Sequence, residues 1–135
     1  MSAKPFIDTT VLVYAVSEGD ARVVFAERLL ADGGHISVQV LNEFAAVARR
    51  KLKMSWQEIQ EALLAIRALC EPPISLTVDI HESALKIADR YGYTIYDSLI
   101  VAAALSAGSE SLYSEDMQDG QKIQGLTIKN PFITK

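Results

Sequence analysis

From Leu99 to Leu105 every residue is apolar, and Gly108 follows within one helical turn. A surface helix keeps a polar stripe for solvent, whereas one that is apolar on all sides belongs in the interior. The stretch from Ser98 to Ala107 therefore reads as a buried helix that Gly108 ends. Burying it requires a good deal of other apolar surface. At 135 residues, half of them hydrophobic, the chain can build one substantial core. No repeat, low-complexity tract or linker-like stretch interrupts it, so residues 1–135 are expected to form a single domain.

Short apolar runs alternate with helical patterns along the rest of the chain. Pro5-Phe6-Ile7 reads as a strand, and Val11 to Ala15 as a strand continuation or a short helix. Asp20 can cap a helix to about Leu30 that stops at Gly33-Gly34. His35 to Val38 reads as a strand, and from Val40 the residues Leu41, Phe44, Val47 and Ala48 recur at helical spacing. Ser55 and Glu58 form a capping-box pattern for a helix from Trp56 to Cys70, which Pro72 and Pro73 end. Ile74 to Val78 alternates like a strand, and Asp79 with Glu82 repeats the capping pattern ahead of a helix that Gly92 closes. Ser111 to Tyr113 and Leu126 to Ile128 supply two more strands. Strands separated by helices predict a three-layer α/β/α domain with a mainly parallel central sheet of about five short strands. In such sheets ligands bind beyond the carboxyl ends of the strands.

The N-terminus lacks a basic segment followed by an apolar one, and no apolar stretch approaches the roughly 20 residues that span a bilayer. A cytoplasmic chain without a membrane segment is expected. The single cysteine, Cys70, has no partner for an intramolecular disulfide and reads as a buried or half-buried helix residue. A net charge of −4 argues against coating phosphates with cations. It is compatible with an enzyme that gathers carboxylates around a divalent metal to cut phosphodiesters.

Four acids stand where an apolar segment meets a turn or a helix start: Asp8, Glu43, Asp97 and Asp116. Asp8 follows Phe6-Ile7 directly, at the carboxyl edge of a parallel sheet. Asp116 repeats that arrangement after Ser111 to Tyr113. Glu43 lies in the first turns of its helix, and Asp97 opens the most hydrophobic helix of the chain. Singly, each has an ordinary role: turn or cap for Asp8, complement to the helix dipole for Glu43, N-cap for Asp97, loop residue for Asp116. Jointly, carboxylates gathered at one sheet edge repel one another unless protonated or bridged by a cation. Mg²⁺ or Mn²⁺ takes oxygen ligands and keeps waters, leaving room for a phosphate oxygen and an attacking hydroxide. His35 and His81 are isolated and lack metal-ligand spacing. No nucleophile elbow, phosphate-binding glycine loop or dinucleotide fingerprint is present.

Over essentially its whole length the sequence resembles the PIN-domain family, and within it the bacterial VapC-like toxins. Ile7-Asp8-Thr9-Thr10-Val11-Leu12-Val13-Tyr14 is similar to the family's opening strand with its first acid, and Ser37 to Phe44 to the second acidic motif, at Glu43. Tyr96-Asp97-Ser98 and the apolar run after it resemble the third, and Ser114 to Gly120 the fourth. The resemblance implies metal-site roles for Asp8, Glu43, Asp97 and Asp116, with Thr9 and Ser114 as polar neighbours that hold water or a carboxylate. It also implies an RNA substrate, homodimerisation and neutralisation by a small cognate antitoxin protein. Thr10 stands where the family often has asparagine, and Gly120 where an aromatic residue is common.

The expected activity is hydrolysis of RNA by a metal-activated water, with Asp8, Asp97 and Asp116 as ligands or outer partners and Glu43 binding metal or orienting the water. Glu115 and Asp119 read either as a fifth carboxylate or as solvated loop residues. Arg49-Arg50-Lys51-Leu52-Lys53 reads either as a phosphate contact or as a solvated helix end that complements the dipole. One rival is a catalytically inactive PIN-like protein-binding module, against which four intact acids weigh. Another is a phospho-accepting receiver, against which the apolar Phe6 and Ile7 before Asp8 count. Trp56, Tyr91, Tyr93 and Phe132 are expected mostly in the core, with weaker candidacy as interface residues.

Overall fold

The computed structural model describes residues 3–133. Its elements are β1 (Phe6–Ile7), α1 (Thr9–Ala15), α2 (Arg22–Asp32), α3 (Val38–Arg50), α4 (Trp56–Leu69), α5 (Val78–Tyr91), α6 (Ile95–Ser106), β2 (Ser111–Tyr113), β3 (Lys122–Ile123) and β4 (Leu126–Lys129). The strands run β1-β2-β4-β3 across one sheet. β1 pairs parallel with β2, Phe6 opposite Leu112 and Ile7 opposite Tyr113, and β2 pairs parallel with β4. Only the short hairpin strand β3, which the alternation pattern does not reveal, is antiparallel. An α/β fold with a mainly parallel sheet is therefore present, with four strands where about five were expected.

Two expected strands shrink to single bridges. His35 pairs with Phe6 and Ser37 with Ile74, both parallel, and no ladder extends from either. Helix capping ends them. The Ser37 hydroxyl accepts the Val40 N–H at 3.2 Å and starts α3 at Val38. Thr77 likewise accepts from Ile80 and starts α5 at Val78, so Asp79 lies in the first turn and the expected Asp79–Glu82 capping box is not used. The α4 box forms as read, with Ser55 and Glu58 bonded reciprocally. Val11 to Ala15 resolves as helix, because the Asp8 carboxylate caps α1 immediately after β1.

α2 begins at Arg22; Asp20 accepts the Arg22 N–H at 2.9 Å, although the residue at the cap position proper is Ala21. The close return after α2 depends on Gly34. A Cβ there would stand 2.9 Å from both the Pro5 carbonyl oxygen and an Ile7 methyl, so the chain passes β1 with no room for a side chain.

α6 is buried on all sides from Ser98 to Ala104. It packs on α5 and α3, and α1 packs between α2 and α3. The core contains Phe6, Ile7, Leu12, Ile36, Phe44, Ile100, Leu112 and Ile128, all inaccessible to solvent. Tyr91, Tyr93 and Phe132 pack against it, whereas Trp56 does not: it is 56% exposed, with the Arg49 guanidinium 5.1 Å from its ring centre. Its place at the first position of α4 turns it to solvent. Cys70 is half-buried at the end of α4, and burial raises its thiol pKa. Among the described residues no helix is long and apolar enough to cross a membrane.

Candidate active site

The parallel pairing of β1 with β2 sets Asp8 and the segment after Tyr113 side by side at one sheet edge. The Asp8 N–H donates to the Tyr113 carbonyl at 3.0 Å, which pins the residue as it leaves β1. Its carboxylate is 3% exposed and densely held. Oδ1 accepts the Thr9 N–H at 2.7 Å; Oδ2 accepts the Ser114 hydroxyl at 2.7 Å and the Thr10 hydroxyl at 3.3 Å. Ser114 thus fills its expected role as a neighbour that holds a carboxylate. Thr10 joins it, its oxygen also accepting the Glu115 N–H at 3.0 Å.

Glu43 enters from α3. Gln39, one turn earlier, donates its amide to Oε2 at 2.8 Å, and the Thr9 hydroxyl stands 3.5 Å from Oε1. Gln39 is a site residue that motif matching missed; the signal available was its position four residues before Glu43 on the same helix face. Asp97 enters from α6. It is not the cap of that helix: Thr94 is, its hydroxyl accepting the Asp97 N–H at 3.1 Å. The carboxylate is left free to face the other acids. Asp116 comes from the loop after β2 and is exposed.

The four acids act on one another. Burial pushes the Asp8 pKa from 3.8 to about 7 against the opposing hydrogen bonds of Ser114 and Thr9, with smaller contributions from the charges of Asp97 and Glu43. Burial also raises Glu43, Gln39 opposes the rise, and Asp97 and Asp116 add to it. Asp97 is raised by burial and then by Asp116. Residues 8, 43, 97 and 116, far apart in sequence, therefore share one field of negative charge. They do not form a closed cage: among the described residues no group of three or more His, Cys, Asp or Glu side chains is arranged ready to hold a cation. The donor chemistry still fits a hard divalent ion, since every group is an oxygen acid and none of the four is in an ion pair among the described residues.

Other candidates are placed elsewhere. Glu115 is paired: Arg22 Nη1 donates to its Oε2 at 2.8 Å and Tyr14 to its Oε1 at 2.7 Å. Its pairing departs from the expected solvated loop residue. Asp119 accepts the Asn130 N–H at 2.8 Å. In the basic run, Arg49 donates to the Met54 carbonyl at 3.1 Å and, with Arg50, occupies the last turn of α3, as a dipole-complementing helix end would. A concavity of about 640 Å³ between α5 and α6 is lined by Asp79, Lys86, Arg90 and Leu105 and contains none of the four acids. Charge, rather than depth, marks the candidate site.

No curated protein matches the chain in sequence. Solved structures share its fold. A toxin–antitoxin complex from Klebsiella pneumoniae aligns with a TM-score of 0.68 at 22% identity, over 93% of this chain and 96% of the other. VapBC2 from Rickettsia felis, bound to a promoter DNA fragment, aligns at 0.67 and 21%, over 93% and 97%. A Mycobacterium tuberculosis VapC toxin that cleaves the sarcin-ricin loop aligns at 0.65 and 24%, over 80% and 86%. The PIN domain family model matches residues 6–119, a span that opens on β1, includes all four acids and closes within the loop that carries Asp116. By that match the chain belongs to the PIN-domain family.

Proposed function

We propose that this protein is a Mg²⁺- or Mn²⁺-dependent endoribonuclease, the toxin of a toxin–antitoxin pair, and that Asp8, Glu43, Asp97 and Asp116 form its metal site. The observation that carries the reading is the convergence of these four side chains, from the end of β1, from α3, from α6 and from the loop after β2, on one acidic cluster in which burial and mutual repulsion raise Asp8 to about 7 and push Glu43 and Asp97 up. A fold without catalytic use for that charge would gain stability by losing it. Asp8, Glu43, Asp97 and Asp116 would hold a divalent ion, which would supply positive charge for a phosphate oxygen and lower the pKa of a water at neutral pH.

The chain's own residues do the rest. Ser114, Thr9 and Thr10 keep Asp8 in one orientation, so its carboxylate needs no reordering when an ion arrives. The backbone of Asp97 is fixed by its place in the first turn of a helix buried from Ser98 onward. Glu43, half-buried, with its pKa raised and one oxygen held by Gln39, is suited to orient the attacking water and accept its proton. Asp116 lies at the exposed rim, where an RNA phosphate approaches. RNA as substrate, a cognate antitoxin, a homodimer and a cytoplasmic setting are inferred from family membership and from neighbours that are themselves toxins or toxin–antitoxin complexes.

The test is cleavage of a panel of structured RNAs by the purified protein in Mg²⁺, Mn²⁺ or EDTA, alongside Asp97→Asn. The expected result is cleavage by wild type alone, abolished by EDTA. Cleavage that persists in EDTA, or that Asp97→Asn retains in full, would refute the proposed chemistry; absence of both cleavage and Mn²⁺ binding would favour a non-catalytic PIN module.

A further inference from the structure

Glu115 lies in sequence between Ser114, which holds Asp8, and Asp116, and its carboxylate pairs outside the four acids. It is anchored to two helices at once. Tyr14, on α1, donates to Oε1 at 2.7 Å, and Arg22, on α2, donates Nη1 to Oε2 at 2.8 Å. The same Nη1 reaches the Tyr14 hydroxyl at 2.6 Å, Arg22 Nε donates to Asp20 at 3.1 Å, and the guanidinium lies 4.7 Å from the Tyr14 ring centre. An isolated surface ion pair would hold little. Here carboxylate, phenol and guanidinium close a three-membered ring of contacts, with Phe132 stacked edge-on against Tyr14 at 5.0 Å.

The backbone around Glu115 is equally tied. The Ser114 N–H donates to the Lys129 carbonyl at 3.0 Å, the Glu115 N–H to Thr10 at 3.0 Å, and Asn130 donates to the Glu115 carbonyl at 3.3 Å. The Ser114 hydroxyl bridges Asp8 and the Met117 N–H. Along Ser114, Glu115 and Asp116, only the Asp116 carboxylate has no hydrogen-bond partner among the described residues. A segment locked at each neighbouring group fixes the backbone from which its one free carboxylate projects, and such preorganisation strengthens ion binding because less freedom is lost on association.

We propose that Glu115 is a positioning residue, which through its anchorage to Tyr14 and Arg22 holds Asp116 toward Asp97 and Glu43 for cation binding. The inference rests on the metal-nuclease reading above and deepens it. It assigns Arg22 as well: this cation steadies the acidic site from outside and is not a phosphate contact, being already shared by Asp20 and Glu115.

The experiment is Mn²⁺ binding to the full chain, by calorimetry or electron paramagnetic resonance, for wild type, Glu115→Ala, Arg22→Met, Arg22→Lys and Tyr14→Phe, each also combined with Asp116→Asn. Glu115→Ala and Arg22→Met are expected to weaken Mn²⁺ about tenfold, the scale of losing an outer partner of a ligand. Arg22→Lys should recover part of the loss, and Tyr14→Phe, which removes one hydroxyl from a ring left in place, should cost about threefold to fivefold. In the Asp116→Asn background none of them should weaken binding further, because the carboxylate they position is gone. Unchanged Mn²⁺ affinity in the single variants, or an equal loss with and without the Asp116 carboxylate, overturns the positioning role while leaving the metal site standing. Failure of wild type to bind Mn²⁺ overturns the metal reading and this one with it. Circular dichroism identifies any variant that has not folded, and Tyr14→Phe, the mildest change, then decides the question.

Discussion

Asp8→Asn should make the metal-free protein more stable at alkaline pH while removing its activity. The Asp8 carboxyl moves from 3.8 to about 7 in the fold, chiefly through burial. Its folded pKa thus lies above its unfolded value, so the folded state binds the proton more tightly. The stability this contributes is fully present below about pH 4 and is lost as pH rises through about 7. The gap corresponds to at most about 4 kcal/mol. About half is the realistic share, because Asp97 and Glu43 titrate with Asp8 and because an asparagine amide meets the Ser114 hydroxyl less well than a carboxylate does. The assay is urea unfolding in EDTA at pH 5 and pH 8. Wild type should lose about 2 kcal/mol between the two, Asp8→Asn should lose clearly less, and the variant should be the more stable at pH 8. Adding Mg²⁺ at pH 8 should restore wild type and leave the variant unchanged. Parallel pH profiles for the two proteins would refute the argument, since they would show that Asp8 carries no burial penalty.

Ser114→Ala removes a hydrogen bond that lowers the Asp8 pKa, so that carboxyl should titrate higher still, and the acid limb of the cleavage pH profile should move to higher pH. An unmoved limb would separate Asp8 from the activity. Gly34→Ala drives a Cβ to within 2.9 Å of the Pro5 carbonyl and should cost about 1–3 kcal/mol in urea unfolding. Trp56→Ala, at a residue 56% exposed, should cost no more than about 1 kcal/mol, the scale of its contact with Arg49; a loss typical of core aromatics would place Trp56 inside. Asp116→Asn should lower cleavage at least about 100-fold with little change in melting temperature, because an exposed carboxylate without a partner holds nothing in the fold together.

Helix periodicity, the capping box at Ser55 and Glu58, and the unbroken apolar run from Leu99 to Leu105 are local signals, and they were legible because a helix satisfies its hydrogen bonds within its own segment. The family likeness lay in the residues around Asp8, Glu43, Asp97 and Asp116, and the family match spans all four. Strand extent was less legible. His35 to Val38 and Ile74 to Val78 have strand-like composition, but a strand is completed by a neighbour, and the caps Ser37 and Thr77 claim those residues for helices first. Thr77 and Thr94 cap α5 and α6 in place of the acids nearby, because which side chain reaches the free N–H groups depends on how the preceding loop arrives.

By itself the sequence determined the bodies of the longer helices, that one of them must be buried, and which acids were candidates, since these follow from patterns a few residues long, while it left Val11 to Ala15 open between strand and helix. Only the tertiary structure decided that those acids share one field, that Glu115 pairs with Tyr14 and Arg22, and that Gln39 and Thr10 support the site. The physical reason is the range of the forces. Hydrophobic periodicity and capping act within one or two turns, whereas burial, charge coupling and hydrogen bonds between residues some hundred positions apart, such as Asp8 and Ser114, exist only once the parallel pairing of β1 with β2 has brought their segments together.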